Sequence, residues 1–174
     1  ATCSLGHSDD AIRRALTKQL NKIQHVSNLY EISEQEALAK WLVHHSCADK
    51  VFFCNSGAEA NEAAIKLARK YGHIQRGIKN PIILSAKSSF HGRTLAALSA
   101  TGQEKYHKNF GPLVEGFDFF SFNSSKSFQD LQEKIEKELP RISAVLIEPI
   151  QGEGGIFPGE KDFFHFLRDF CTKN

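Results

Sequence analysis

Three short stretches of this 174-residue chain combine glycine with groups able to hold anions, planar rings or carboxylates. The first, Asn55-Ser56-Gly57-Ala58, follows the apolar Val51 to Cys54 and opens a helical pattern. A glycine at a strand-to-helix turn lets the backbone approach a ligand closely. The amides and dipole of the helix N-terminus then favour an anion, phosphate above all. The same residues also suit an ordinary βα turn capped by Ser or Asn, and the G-K-[ST] ending of a Walker A loop is missing.

The second stretch is Phe90-His91-Gly92-Arg93. An aromatic ring beside a glycine can stack on a planar cofactor, and the arginine can grip a carboxylate through two parallel hydrogen bonds. A core phenylalanine with a solvated arginine is the plain alternative. His91 has no second metal ligand at a useful spacing. The third stretch, Glu148-Pro149-Ile150-Gln151-Gly152-Glu153-Gly154-Gly155, sets carboxylates and an amide at the carboxyl end of an apolar run, where open α/β sheets bind ligands. Gly152 and Gly154 fit G-x-G, but Phe157 breaks the dinucleotide fingerprint. Glu148 also suits a capping or salt-bridged carboxylate.

The elements that must position these groups follow from periodicity. A helix is predicted from about Asp9 to Gln24, capped by Asp9 or Ser8, with Ile12, Leu16, Leu20 and Ile23 on one face. Ser33 and Glu36 have capping-box spacing and open a helix to about His45. Val51–Cys54 reads as a buried strand. The helix after Gly57 carries Ala60, Ala64, Leu67, Ala68 and Tyr71 on one face, with Gly72 as its C-cap. A strand at 82–85 leads into the second stretch and a short helix through Ala100. A third strand is expected over 117–122, a helix over 127–139, a strand over 142–148 and a phenylalanine-rich helix over 160–171. Strands alternating with helices predict an α/β fold with a mostly parallel sheet and helices on both faces.

Composition narrows the class. At 41% hydrophobic and a net charge of +2, the chain is not disordered. It has no apolar run near the ~20 residues of a membrane span and no signal peptide. Its charges are spread evenly, so neither nucleic acid nor membrane is an expected partner. Four cysteines without a C-x-x-C pair read as small buried hydrophobes in a reducing, intracellular protein. No methionine occurs, and the element pattern stops after a helix, so the chain is expected to be a fragment cut at both ends.

In order and spacing, Asn55-Ser56-Gly57-Ala58-Glu59-Ala60-Asn61-Glu62-Ala63, Ser89-Phe90-His91-Gly92-Arg93-Thr94 and the Glu148–Gly155 stretch resemble the class III pyridoxal-phosphate aminotransferases. Acetylornithine and ornithine aminotransferases are the nearest sub-group, and Gly6-His7 and Ser27-Asn28-Leu29-Tyr30 also fit. The resemblance covers essentially the whole chain, and the family chain is considerably longer. It implies part of the large domain of a fold-type I transferase, with 1–30 as N-terminal segment and linker, 31–174 as partial cofactor domain, and a homodimer sharing its active sites.

The resemblance further implies pyridoxal 5'-phosphate as cofactor. Ser56, Gly57 and Ala58 would hold its phosphate, although many relatives carry Thr where Ala58 stands. Phe90 would stack on the ring with His91 beside it. Arg93 would bind the substrate α-carboxylate, and Glu153 would sit at a gate where relatives pair a glutamate with a downstream arginine. Gln151 and Glu148 would line the same pocket. The Schiff-base lysine and the pyridine-nitrogen aspartate are expected beyond Asn174, so no residue here is assigned as catalytic, and Lys66, Lys70 and Lys87 do not replace that lysine. The parent would move an amino group from acetylornithine, or a similar ω-amino acid, to 2-oxoglutarate in cytoplasmic arginine biosynthesis, the chain alone being inactive. Ornithine, 4-aminobutyrate and succinylornithine aminotransferases, or a non-catalytic paralogue keeping the phosphate cup, stay open as alternatives.

Overall fold

The computed structural model describes residues 3–123 and 125–174, the side chains of 125–128 excepted. It forms two compact units, Ala1–Phe52 and Phe53–Asn174. In the first, α1 (Asp10–Leu20) begins at Asp9, whose carboxylate accepts the Ile12 amide at 2.9 Å. It stops at Leu20 rather than Gln24 because Asn21 turns its own amide group onto the Thr17 carbonyl at 3.0 Å. The second helix, α2 (Ser33–His44), has Ile32 at its N-cap and no side-chain cap. The expected Ser33–Glu36 box does not form. Ser33 lies one residue inside the helix, and its hydroxyl turns to Glu34 at 2.8 Å while Glu36 pairs with Lys40 at 3.2 Å. Neither helix has a buried residue.

The second unit is built on a parallel sheet of order β2-β1-β3, from β1 (Ile82–Ala86), β2 (Phe117–Phe120) and β3 (Ile142–Leu146). Alternation along β1 divides the core. Ile82, Leu84 and Ala86 pack with Phe120 and Ile142 against Leu131 of α6 (Ser125–Glu138) and Phe163 and Leu167 of α7 (Lys161–Lys173). Ile83 packs on the opposite face with Ile65 of α3 (Gly57–Ile74) and Ala100 of α4 (Leu95–Ala100). Every residue of β1 is therefore buried, which is why the strand reads as apolar at every position but Ser85, whose hydroxyl donates to the Ala100 carbonyl at 2.6 Å. The α/β class with a parallel sheet and helices on both faces is the one the alternation predicts. Among the described residues no helix is long and apolar enough to cross a membrane.

Several local expectations change. Val51–Cys54 pairs with no strand among the described residues, and Phe52 is exposed. An apolar run states a burial preference, but only a hydrogen-bonded neighbour makes a strand. β2 ends at Phe120, opposite Ala86, and β3 at Leu146, opposite Ser85, short of Phe122 and Glu148. The glycine-rich third stretch contains a small hairpin, β4 (Ile150–Gln151) against β5 (Phe157–Pro158). A single helical turn, α5 (Glu104–His107), follows α4 without a clear periodic signal. All four cysteines are free and exposed, because they flank elements or sit in a last turn rather than in the sheet.

The largest shift concerns α3. Ala60, Ala64, Leu67 and Tyr71 are exposed, and the inward line is instead Asn61, Ile65, Ala68 and Gly72, one residue around the helix. Gly72 lies inside the helix rather than capping it. A Cβ there would stand 2.9 Å from the Pro81 Cβ and 3.0 Å from the Ser143 Cβ, so its absence lets the helix backbone lie against the sheet entrance. This generates a test with opposing terms. Helix propensity favours Ala over Gly by about 1 kcal/mol, whereas overpacking typically costs about 1–3 kcal/mol. In the full-length protein Gly72→Ala is expected to lower the urea midpoint, while Lys70→Ala on the exposed side of the same helix leaves it unchanged. An unchanged or raised midpoint for Gly72→Ala contradicts the packing account.

Candidate functional site

The site begins at the first turn of α3. Ser56 is its N-cap, in extended conformation, and the hydroxyl oxygen accepts the Glu59 amide at 3.2 Å. Glu59 reaches back to the amide and side chain of Asn55 at 2.7 and 3.0 Å. A relative of the cap that spacing suggested at Ser33 is thus made here, the serine half as in a capping box and the glutamate half on Asn55, one residue before the cap. It satisfies Glu59 and leaves the Gly57 and Ala58 amides without an acceptor among the described residues. Ser56, accepting with its oxygen, keeps its own proton to donate outward. A Cβ on Gly57 would meet nothing within 4 Å, so the space before these donors is open.

The second stretch docks on this turn. Gly92 has φ +134°, and a Cβ there would lie 2.9 Å from that of Ala58. Asn61 donates to the His91 carbonyl at 2.6 Å. One oxygen of Glu62 accepts from the Thr94 hydroxyl and from the Ala96 and Ala97 amides at 2.5, 3.1 and 3.0 Å, capping α4, whose own N-cap residue, Thr94, accepts no helix amide with its side chain. The polar residues that give the first motif its pattern therefore act largely on the second.

Behind Phe90 the His91 ring is buried, 4% exposed. Its Nε2 lies 3.2 Å from the Ser85 hydroxyl, which spends its single proton on the Ala100 carbonyl at 2.6 Å. That network assigns the ring proton to Nε2, donating to Ser85. The His91 amide donates to Thr101 at 3.0 Å. Burial pushes the imidazole below its ordinary pKa of 6.5, opposed in part by the charge of Glu148, so the neutral ring is favoured.

In front stands an aromatic shelf. Phe90 meets Tyr106 edge to face with centroids 5.6 Å apart, and the Arg93 guanidinium lies 4.8 Å from the Tyr106 centroid and 5.8 Å from that of Phe90. Among the described residues no carboxylate lies within ion-pair distance of Arg93, which is exposed. Glu153 accepts from the Tyr106 hydroxyl and from Gln103 at 2.9 Å, and Lys105 lies 3.5 Å away. The Tyr106 bond first, then that of Gln103, holds its carboxyl below the usual carboxylate range. Tyr106 and Gln103 carried no signal in the sequence beyond their spacing on one helical turn.

Two expected pocket residues are engaged with backbone. Glu148 takes the Phe90 amide on one oxygen at 2.8 Å and the Gly152 amide on the other at 3.1 Å. Gln151, 2% exposed, donates to the Lys87 carbonyl at 2.9 Å. Both tie the glycine-rich loop to the loop after β1. Lys87 itself pairs with Asp130 at 3.6 Å, and Lys66 and Lys70 are exposed on α3. The structure thus gathers Ser56, Gly57, Ala58, Phe90, His91, Arg93, Glu148, Gln151 and Glu153 around the loops that follow β1 and β3.

The buried imidazole gives a pH test. A histidine with a depressed folded-state pKa binds fewer protons folded than unfolded. It therefore supports stability above its ordinary 6.5, and that support is lost as the pH falls through that value. In the full-length protein the thermal midpoint should drop on acidification from about pH 7.5 to about pH 5.5, and His91→Gln should flatten that drop. Parallel pH profiles for the two proteins would remove His91 as its source.

With this geometry in place, comparison with known proteins identifies the family. A model of the family "Aminotransferase class-III" matches residues 1–174. The acetylornithine aminotransferase of Prochlorococcus marinus (strain SARG) is 75% identical over 174 residues, which are all of this chain and 42% of that protein. Among solved structures, the N-acetylornithine aminotransferase of Stenotrophomonas maltophilia K279a is 35% identical with a TM-score of 0.76, covering 99% of this chain and 41% of its own. The ornithine aminotransferase of Toxoplasma gondii is 26% identical with a TM-score of 0.87, covering 98% of this chain and 40% of its own. The chain thus spans about two fifths of the length of the relatives it matches, and it belongs to the class III aminotransferases.

Proposed function

We propose that the full-length protein is a pyridoxal 5'-phosphate-dependent aminotransferase that moves the amino group of acetylornithine, or a similar ω-amino acid, to 2-oxoglutarate, as a step of arginine biosynthesis in the cytoplasm. The relatives named acetylornithine aminotransferase support this reading. The observation that carries it is an exposed arginine, free of any carboxylate among the described residues, spread over an aromatic shelf that Gly92 joins to two unaccepted amides.

The residues present fit the cofactor. Two free amides, a hydroxyl proton and a helix N-terminus facing open space suit a phosphate. The half-buried Phe90 ring suits the face of a pyridine, and the Toxoplasma gondii ornithine aminotransferase carries PLP at partial occupancy in its active site. When bound, the cofactor supplies the electron-withdrawing ring that amino transfer requires. Gly57, Ala58 and Ser56 would bind its phosphate. His91, neutral and donating from Nε2 to Ser85, braces the segment that presents Phe90. Arg93 would orient the substrate through its α-carboxylate, leaving the ω-amine to face the reacting centre. Glu153 would stand at the edge of that path. Residues 31–174 would be part of the large domain, with 1–30 leading into it, and the cofactor-anchoring lysine and the aspartate at the ring nitrogen would come from the rest of a homodimeric enzyme. Ornithine is the second reading, favoured by the higher TM-score to an ornithine aminotransferase, and steady-state rates on the two substrates decide between them.

The anchor role is testable in the full-length enzyme. Arg93→Ala should lower kcat/KM for acetylornithine by about 10- to 150-fold, the range expected for losing a charge-assisted hydrogen bond. The absorbance of bound cofactor should stay intact, and Arg93→Lys should recover part of the loss, because an ammonium offers charge without the planar fork. A simple amine without a carboxylate should be indifferent. Equal losses on both substrates would mean that Arg93 supports the cofactor or the fold instead.

A further inference from the structure

The sheet carries a cavity at its other end. Where β1, β2 and β3 begin, the turns that lead into them frame a space of about 320 Å³, the size of a small ligand pocket. Arg69 and His73 of α3 form one wall, Lys79 precedes β1, Glu115 and Gly116 precede β2, and Arg141 precedes β3. Backbone carbonyls hold both arginines in place. Arg69 donates to the Glu115 carbonyl and lies over the Phe117 ring at 5.7 Å, and Nε of Arg141 donates to the Asn80 carbonyl at 3.3 Å. A carbonyl orients a guanidinium but leaves its charge and its other donors unspent. Glu138 pairs with Arg141 at 3.1 Å, whereas among the described residues no carboxylate lies within ion-pair distance of Arg69 or Lys79. Glu115 lines the cavity, yet among the described residues its carboxylate pairs with none of these cations.

The space is kept open by Gly116. Its φ is +92°, and a Cβ there would stand 3.2 Å from Nη2 of Arg69 and 3.0 Å from the Pro81 carbonyl oxygen. The Tyr71 and Gly72 carbonyls at the end of α3, which would repel an anion, are taken by the Gln75 and Ile78 amides, both at 2.9 Å. We propose that this cavity is an anion site that takes the phosphate group of a small soluble metabolite. A single guanidinium satisfies both oxygens of a planar carboxylate. Cations set on separate walls of a concave space suit a tetrahedral anion, which presents oxygens in several directions. Arg69 offers its fork, Arg141 the free Nη2, and Lys79 a point charge.

The test is equilibrium dialysis of the full-length, cofactor-loaded enzyme against radiolabelled inorganic phosphate, with pyrophosphate and acetate as competitors. Phosphate should bind saturably at one equivalent per chain and more weakly as ionic strength rises. Lys79→Ala should weaken it about two- to fivefold, the scale of an exposed ion pair, and Lys79→Glu should weaken it further. Arg69→Gln should weaken it about 10- to 150-fold, as for a lost charge-assisted hydrogen bond. The two Lys79 variants, at an exposed turn, should keep the cofactor absorbance and the turnover of the parent. Pyrophosphate should displace the label and acetate should not. The proposal is overturned if no saturable binding appears, if acetate competes as well as pyrophosphate, or if Lys79→Glu binds phosphate as the parent does. Phosphate that every variant retains and that added pyridoxal 5'-phosphate displaces would sit at the Gly57 turn, which overturns the proposal and leaves the cofactor reading standing.

Discussion

The contact between Gly92 and the first turn of α3 is the constraint on which the site depends. A methyl group at Gly92 would collide with Ala58, and the φ of +134° is one that side chains rarely adopt. Because the two backbones touch, Asn61 and Glu62 can reach across to the His91 carbonyl and the start of α4. Push the loop outward by a methyl group and those bonds lengthen together. The open amides of Gly57 and Ala58 would then lose their fixed relation to Phe90 and Arg93. Much of the polar pattern of the first motif thus serves the joint rather than a ligand.

The class of fold was legible because burial on both faces writes itself into β1 as an apolar run interrupted only by Ser85, and because α6 and α7 carry clear helical stripes. The phase of α3 was not. Periodicity counts alanines as apolar wherever they fall, whereas the helix is set by what the sheet can admit, and the sheet admits Ile65 and a bare Gly72. Capping was half legible for a similar reason. The S-x-x-E pattern occurs at Ser33 and at Ser56, and only the backbone entering each helix decides which serine stands outside it.

The candidate residues came largely from glycines and charged groups near strand ends, and those do converge. Their uses diverge in ways that spacing cannot express. Glu148 and Gln151 are polar residues in the right place, but their polar atoms satisfy amides and carbonyls of loops that would otherwise lack partners. Tyr106 escaped notice because an aromatic on a single helical turn has no pattern of its own, and its meaning arises from Phe90, Arg93 and Glu153, which lie far from it in sequence.

The central position of β1 has a consequence for how the molecule comes together. Its neighbours arrive late, Phe117 opposite Ile83 and Val145 opposite Leu84, so no local hairpin can close the sheet. Helix α3 with its Ser56–Glu59 cap is local and can form within its own stretch of chain. The bond from Phe90 to Glu148 spans 58 residues and must wait for β3 and its loop. The capped first turn of α3 can therefore form before the shelf of Phe90, Tyr106 and Arg93 is tied to the loop after β3. A chain caught between these stages would present the open amides of Gly57 and Ala58 without the aromatic and guanidinium groups that stand beside them in the finished fold.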